Sequence, residues 1–203
     1  MLFRHPAHPD RAVRLAYCLN LHPAETLDGL LDGLRRITIP LRERLAPGKP
    51  FGVGMYLPAR LAHDLAYDPR KLVRLGAILV EAGLDPFTYN AFPYGSFDQR
   101  GLKERVFEPT WACDERVDFT HDVAKVACWL LGEAAPDRHI SISTHTGMHA
   151  SVLQRGDLED SAALAGRAFH GLSRAAARLA ELEASTGHAD RRLVIFGMPC
   201  IRQ

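Results

Sequence analysis

Five short apolar runs separated by amphipathic segments constrain this chain more than any other feature. The runs are "VRLAYCLNL" (Val13–Leu21), "PFGVGMYLP" (Pro50–Pro58), the start of "TYNAFPYGSF" (Thr88–Phe97), "RHISIST" (Arg138–Thr144) and "RRLVIFGMP" (Arg191–Pro199). Each is short and bounded by polar residues, Gly or Pro, and most are largely apolar, which reads as a strand. Between the first two, Leu27, Leu30, Leu31, Leu34, Leu41 and Leu45 fall at helical spacing, with a kink expected at Pro40. "DPRKLVRLGAILVEAG" carries its own punctuation: Asp68 as N-cap, Pro69 at the first helical position and Gly83 at the C-terminal end. Asp114 opens a third helix with Val117, Ala124, Ala127 and Leu131 inward. Leu158–Ser185 forms a long Ala-rich fourth helix with Leu164, Ala165, Phe169, Leu172, Ala176 and Leu179 as the expected buried stripe.

Strand and helix therefore alternate as β-α-β-α-β-α-β-α-β. Apolar strands with helical crossovers predict an α/β protein with a parallel sheet covered by helices. Right-handed crossovers place every strand's C-terminal end on one rim. A doubly wound open sheet and a partial (β/α)8 barrel both satisfy this pattern. A complete barrel takes about 250 residues, and three more units do not fit in 203 residues, which read as a single domain over 1–203.

Composition narrows the function. The chain is 47% hydrophobic and 24% charged with a net charge of +1, so it offers no field for nucleic acid or an anionic membrane. The first residues, "MLFRHPAHPDRAVR", contain no apolar secretory core, and no run reaches the roughly 18 residues a membrane span needs. Cys18, Cys113, Cys128 and Cys200 are far apart, which reads as reduced thiols in a cytoplasmic protein. There is no GxGxxG, Walker loop, GxSxG or HExxH, so nucleotide cofactors and serine hydrolysis have no support.

Ligands of parallel α/β folds bind at the strands' C-terminal ends, and the polar residues collect there. The first strand ends in Asn20, His22 and Glu25, the third in Asn90 and Tyr94, and the fourth in Ser143, Thr144 and His145. The opposite ends carry only Arg11, Lys49, Asp85 and Arg138. Asn90 offers donor and acceptor, and Tyr94 and Phe97 could wall a pocket, although Asn-x-x-Pro-x-Gly is also turn chemistry. His22 could hold a metal or move a proton, or equally bond a loop or helix end. Glu25 reads better as an acid at a helix start than as a ligand. His145 is taken as a single substrate contact, because Gly147 disfavours a helical pairing with His149. Lys103 and Glu104 are secondary candidates that could reach back over the rim. Trp111 is expected to anchor the long third connection, and His121 and His170 to be structural.

The stretches "YCLNLHPAET", "RLAPGKPFGVGMYLPAR", "FTYNAFPYGSF", "LKERVFEPTW" and "SIST" resemble the EboE family of metabolite traffic proteins, within the xylose isomerase-like TIM barrels. The resemblance runs from about Leu15 to the fifth strand. It implies the N-terminal part of a (β/α)8 barrel that binds or processes a small polar metabolite at the strand ends. Related sugar-phosphate isomerases and epimerases use a divalent metal in the barrel mouth, so a metal-dependent isomerase or epimerase is the alternative implied activity. The matching positions are Asn20, His22, Glu25, Asn90, Tyr94, Lys103, Glu104, Ser143 and Thr144. "HTGMH" after "SIST" departs from the family pattern, so His145 takes no role from it. "VIFGMPCIRQ" lacks the acidic residues that the family carries at the fifth strand, and those would be natural metal ligands. The expectation is a truncated or frame-shifted reading of a longer gene, whose open sheet edges favour self-association. The few acids on the rim favour metabolite handling over metal isomerisation.

Overall fold

The computed structural model describes residues 2–95, 105–131, 139–145, 147, 158–185 and 192–198. The chain opens with an antiparallel hairpin, β1 (Leu2–His5) and β2 (His8–Arg14), with a register shift between Arg4 and His5. Strand β3 follows as Ala16–Cys18 and runs into a 3-10 turn, Leu19–Leu21. The expected first strand, Val13–Leu21, is thus divided: its start closes the hairpin, its middle joins the sheet, and its end is already a turn.

Helix α1 (Leu27–Gly33) starts at Thr26, whose hydroxyl accepts from the Gly29 amide at 3.2 Å. A π-helical stretch, Leu34–Thr38, joins it to α2 (Ile39–Leu45). Pro40 follows directly on this stretch, inside a helical run that stays in the right-handed region from Gly33 to Ile39, so its missing amide falls where the hydrogen bonding has already widened from the α pattern. Strand β4 (Phe51–Tyr56) is buried throughout. A helix that the apolar pattern did not reveal, α3 (Ala59–Tyr67), precedes α4 (Pro69–Glu81). The cap signals of α4 hold: the Asp68 carboxylate accepts from the Arg70 amide at 3.1 Å, and Gly83 takes φ +57° beyond the C-terminus.

The remaining elements are β5 (Leu84–Asn90), α5 (Asp114–Leu131), β6 (His139–His145), α6 (Leu158–Ser185) and β7 (Arg192–Met198). The main sheet has five strands in the order β3-β4-β5-β6-β7, and every neighbouring pair is parallel. The order follows the sequence without the reversal that defines a doubly wound sheet. With right-handed crossovers, all helices then cover one face. Burial agrees. Val53, Met55, Tyr89, Ile140 and Ile142 project to the helix side and are 0–2% exposed, forming one core with Leu30, Leu31, Leu61, Leu75 and Val123. No described helix is long and apolar enough to cross a membrane.

Helix α6 sits differently from its expected register. Ala168, Gly171, Ala175 and Leu179 are its buried line, whereas Phe169 is 73% exposed. The reason is closeness. A Cβ at Gly171 would lie 1.8 Å from the Trp111 carbonyl oxygen, so only small residues fit on this seam. Trp111, Val117, Ala168 and Ala175 make a second small core there. Of the expected stripe, Leu179 is buried and Leu172 packs half-buried against this second core, whereas Ala165, Phe169 and Ala176 face outward.

Candidate functional site

The pairing register sorts the predicted rim residues by face, because successive strand residues point to opposite sides. On the face turned away from the helices, Cys18, Gly54, Thr88 and Ser141 stand side by side across four strands. Cys18 Sγ and Thr88 Cγ2 each lie 3.3 Å from where a Gly54 side chain would begin, and Ser141 Oγ donates to Thr88 Oγ1 at 2.7 Å. One step nearer the C-terminal ends, Tyr56, Asn90 and Ser143 form the next row. Tyr56 donates its hydroxyl to the Gly95 carbonyl at 2.5 Å, pinning the loop after β5. Thr88, Asn90, Ser141 and Ser143 are half-buried and Cys18 is exposed, so this face retains solvent access. Its opposite end is closed by an Arg14–Asp85 ion pair, with the Arg14 guanidinium 4.0 Å from the centre of the Phe87 ring.

Of the predicted residues, Asn90 and Ser143 share this surface; Thr88, Ser141 and Cys18 were missed. Counting back by twos from Asn90 and Ser143 would have found Thr88 and Ser141. Asn20 lies in the 3-10 turn beyond β3, half-buried, and its Oδ1 has no hydrogen-bond partner among the described residues.

His22, Tyr94 and Thr144 do not join them. The His22 ring stacks on Tyr17 at 5.8 Å, shares a hydrogen bond of 3.1 Å with Thr38 Oγ1 in the π-helical stretch, and lies against Gly33. A Cβ at Gly33 would come within 2.8 Å of His22 Nδ1, so the glycine makes room for the ring. Burial lowers the His22 pKa, keeping it a neutral packing group on the helix side. Tyr94 turns to α5, edge-on to Phe119 at 5.3 Å. Thr144 follows Ile142 by two and is 1% exposed on the helix side, so Ser143 and Thr144 never share a ligand. Glu25 is exposed and precedes the α1 cap, so it is not a first-turn acid; Asp28 is. Lys103, Glu104, Phe97 and His149 lie outside the described residues.

His145 is 4% exposed. Phe107 lies edge-on at 5.5 Å and Trp111 at 6.1 Å, and Nδ1 accepts from the Gly147 amide at 3.3 Å. Burial first, and the Arg116 charge second, push its pKa down to about 3, against a smaller opposing effect of a backbone contact with Pro109. It is a neutral imidazole under the third connection rather than an open contact. That connection is held as the sequence suggested, with buried Trp111 donating Nε1–H to the His145 carbonyl at 2.9 Å.

Arg116 was not anticipated. It is fully buried in α5 and donates to the carbonyls of Ala91 (2.8 Å), Pro109 (2.9 Å) and Glu108 (3.4 Å). The rings of Tyr94 and Phe119 lie 5.9 and 5.5 Å from its guanidinium. Burial lowers its pKa to about 10, so it remains charged at neutral pH. Three carbonyl dipoles and two π-faces replace a carboxylate partner. The residue joins the end of β5 to the returning connection.

The arrangement gives an accessible surface of hydroxyl, amide and thiol groups, with its charged pair confined to the far end. Such a surface can hydrogen-bond a neutral, hydroxyl-rich molecule. Comparison with family models, curated proteins and solved structures finds no match to this chain.

Proposed function

We propose that this chain is an arc of a (β/α)8 barrel and that it binds a small polar metabolite at the C-terminal ends of its strands, as the EboE-type metabolite traffic proteins it resembles would. The observation that carries the reading is the pair of polar rows on the helix-free face, Cys18–Thr88–Ser141 and Asn90–Ser143. A sheet whose strands follow chain order, with helices on one side, has the winding of a barrel wall; its bare face is then the interior. In that setting the rows become interior layers below the mouth, where barrel ligands sit.

In this reading Asn90 presents one amide donor pair and one acceptor, and Ser143 and the Thr88–Ser141 pair present hydroxyls. Together they would orient a polyol by its own hydroxyls without a formal charge. The described residues do not build a divalent metal site: no three of His, Cys, Asp and Glu converge among them. The layers hold hydroxyl, amide and thiol groups rather than the carboxylates a hard cation takes. The proposed role therefore has no step through a metal.

The test is ligand-observed NMR with a panel of neutral polyols and sugars against the whole chain. Binding by at least one member should be weakened about tenfold in Asn90→Ala, the loss of one to two hydrogen bonds at about 1 kcal/mol each. Unchanged binding in the Asn90→Ala, Ser143→Ala double variant would place the ligand elsewhere and end this reading.

A further inference from the structure

We propose that a groove on the opposite, helix side of the molecule binds a phosphate monoester. The groove runs between α6 and the connection leading into α5. Its cavity of about 480 Å³ is floored by Trp111 and Ala112, a volume within the range of small-molecule sites. Ala163, Gly166 and Gly171 add no bulk, and a Cβ at Gly166 would meet nothing within 4 Å. The long side chains on the α6 wall are Arg167, His170 and Arg174, spaced to share one side of the helix.

Charge selects the ligand. Arg174 is held by Asp114 at 2.6 Å, which orients its guanidinium along the groove edge. Arg167 and His170 have no hydrogen-bond or ion-pair partner among the described residues. The sequence of α6 contains no acid between Asp160 and Glu181, although a solvated helix ordinarily places acids three or four residues from its arginines. This wall therefore lacks the intrahelical compensation that would make its arginines ordinary surface charges. A guanidinium fork with an imidazole one turn along fits a tetrahedral oxyanion, which offers several acceptors and nearly two charges, better than a single carboxylate. The open cavity beside it accommodates the ester's organic part. Because α6 lies across the sheet from the polar rows, this site does not depend on the reading of the helix-free face.

Isothermal titration of the whole chain with inorganic phosphate and, separately, with glycerol phosphate tests the assignment. Saturable binding should appear and weaken as salt rises. Arg167→Gln should reduce affinity about tenfold, the loss of one charge-assisted contact. Gly166→Phe, at an exposed helical position, should fill the groove and abolish binding while far-UV circular dichroism stays unchanged. Tighter binding of the ester than of inorganic phosphate supports a phosphorylated metabolite as the natural ligand. Equal binding of both, no saturable binding of either, or retention of affinity in both Arg167→Gln and Gly166→Phe overturns the proposal.

Discussion

An imidazole that stays neutral in the folded chain but can take a proton once unfolded makes stability fall in acid. His145 is such a group: its pKa is about 3 in the folded protein against about 6.5 in an open chain. Between those values the unfolded chain binds the extra proton, so each unit of falling pH costs at most about 1.4 kcal/mol. From pH 7 to pH 5 the integrated loss from this residue alone is about 2 kcal/mol, because above pH 6.5 neither state is much protonated. His22 and His121 are lowered in the same direction by burial and add to the total. Subtraction isolates His145. Urea denaturation at pH 7, 6 and 5, run on the natural chain and on His145→Gln, gives the two slopes. The glutamine keeps a polar side chain but cannot titrate, so its stability should fall about 2 kcal/mol less over this interval. Equal slopes, with unchanged m-values, would mean that His145 charges freely in the fold and is not covered by Phe107 and Trp111 as described.

Arg116→Met should destabilise the chain by about 2–4 kcal/mol in the same denaturation assay, since three carbonyls lose the charged N–H groups that donate to them and the end of β5 loses its tie. It should also raise the His145 pKa, read by the C2 proton shift in NMR, because the neighbouring positive charge is gone. Gly171→Ala should cost more than about 2 kcal/mol, since the new methyl would sit 1.8 Å from the Trp111 carbonyl oxygen and α6 must move to admit it; a melting temperature unchanged from the natural chain would contradict that seam.

The parallel α/β plan was legible because buried strands announce themselves as apolar runs, and four of the five expected strands lie where the sequence put them to within a few residues. Asp68, Pro69 and Gly83 mark α4 because each follows from local backbone chemistry. The N-terminal hairpin was not legible: "LFRHPAHPDRAVR" is charged and carries two prolines, and its pairing is antiparallel between segments too polar to read as strands. Helix α3 fills Ala59–Tyr67, the stretch between the second strand run and the Asp68 cap to which no element was assigned. The candidate site was half legible. Position along the strands located the rim, but facing depends on a two-residue period that the rim argument ignored, so Ser143 and Thr144 were taken together although their side chains must part. His22 misled for a different reason: its partners Tyr17, Gly33 and Thr38 come from three elements, and nothing local signals their convergence.

The contact of Gly171 with Trp111 reaches beyond packing. The indole of that tryptophan grips the last carbonyl of β6, while its own carbonyl is the surface on which α6 rests. An outer helix and an inner strand tip thus share one aromatic residue as their common support. A substitution that crowds that helix therefore bears on the same residue that holds the sheet's upper edge.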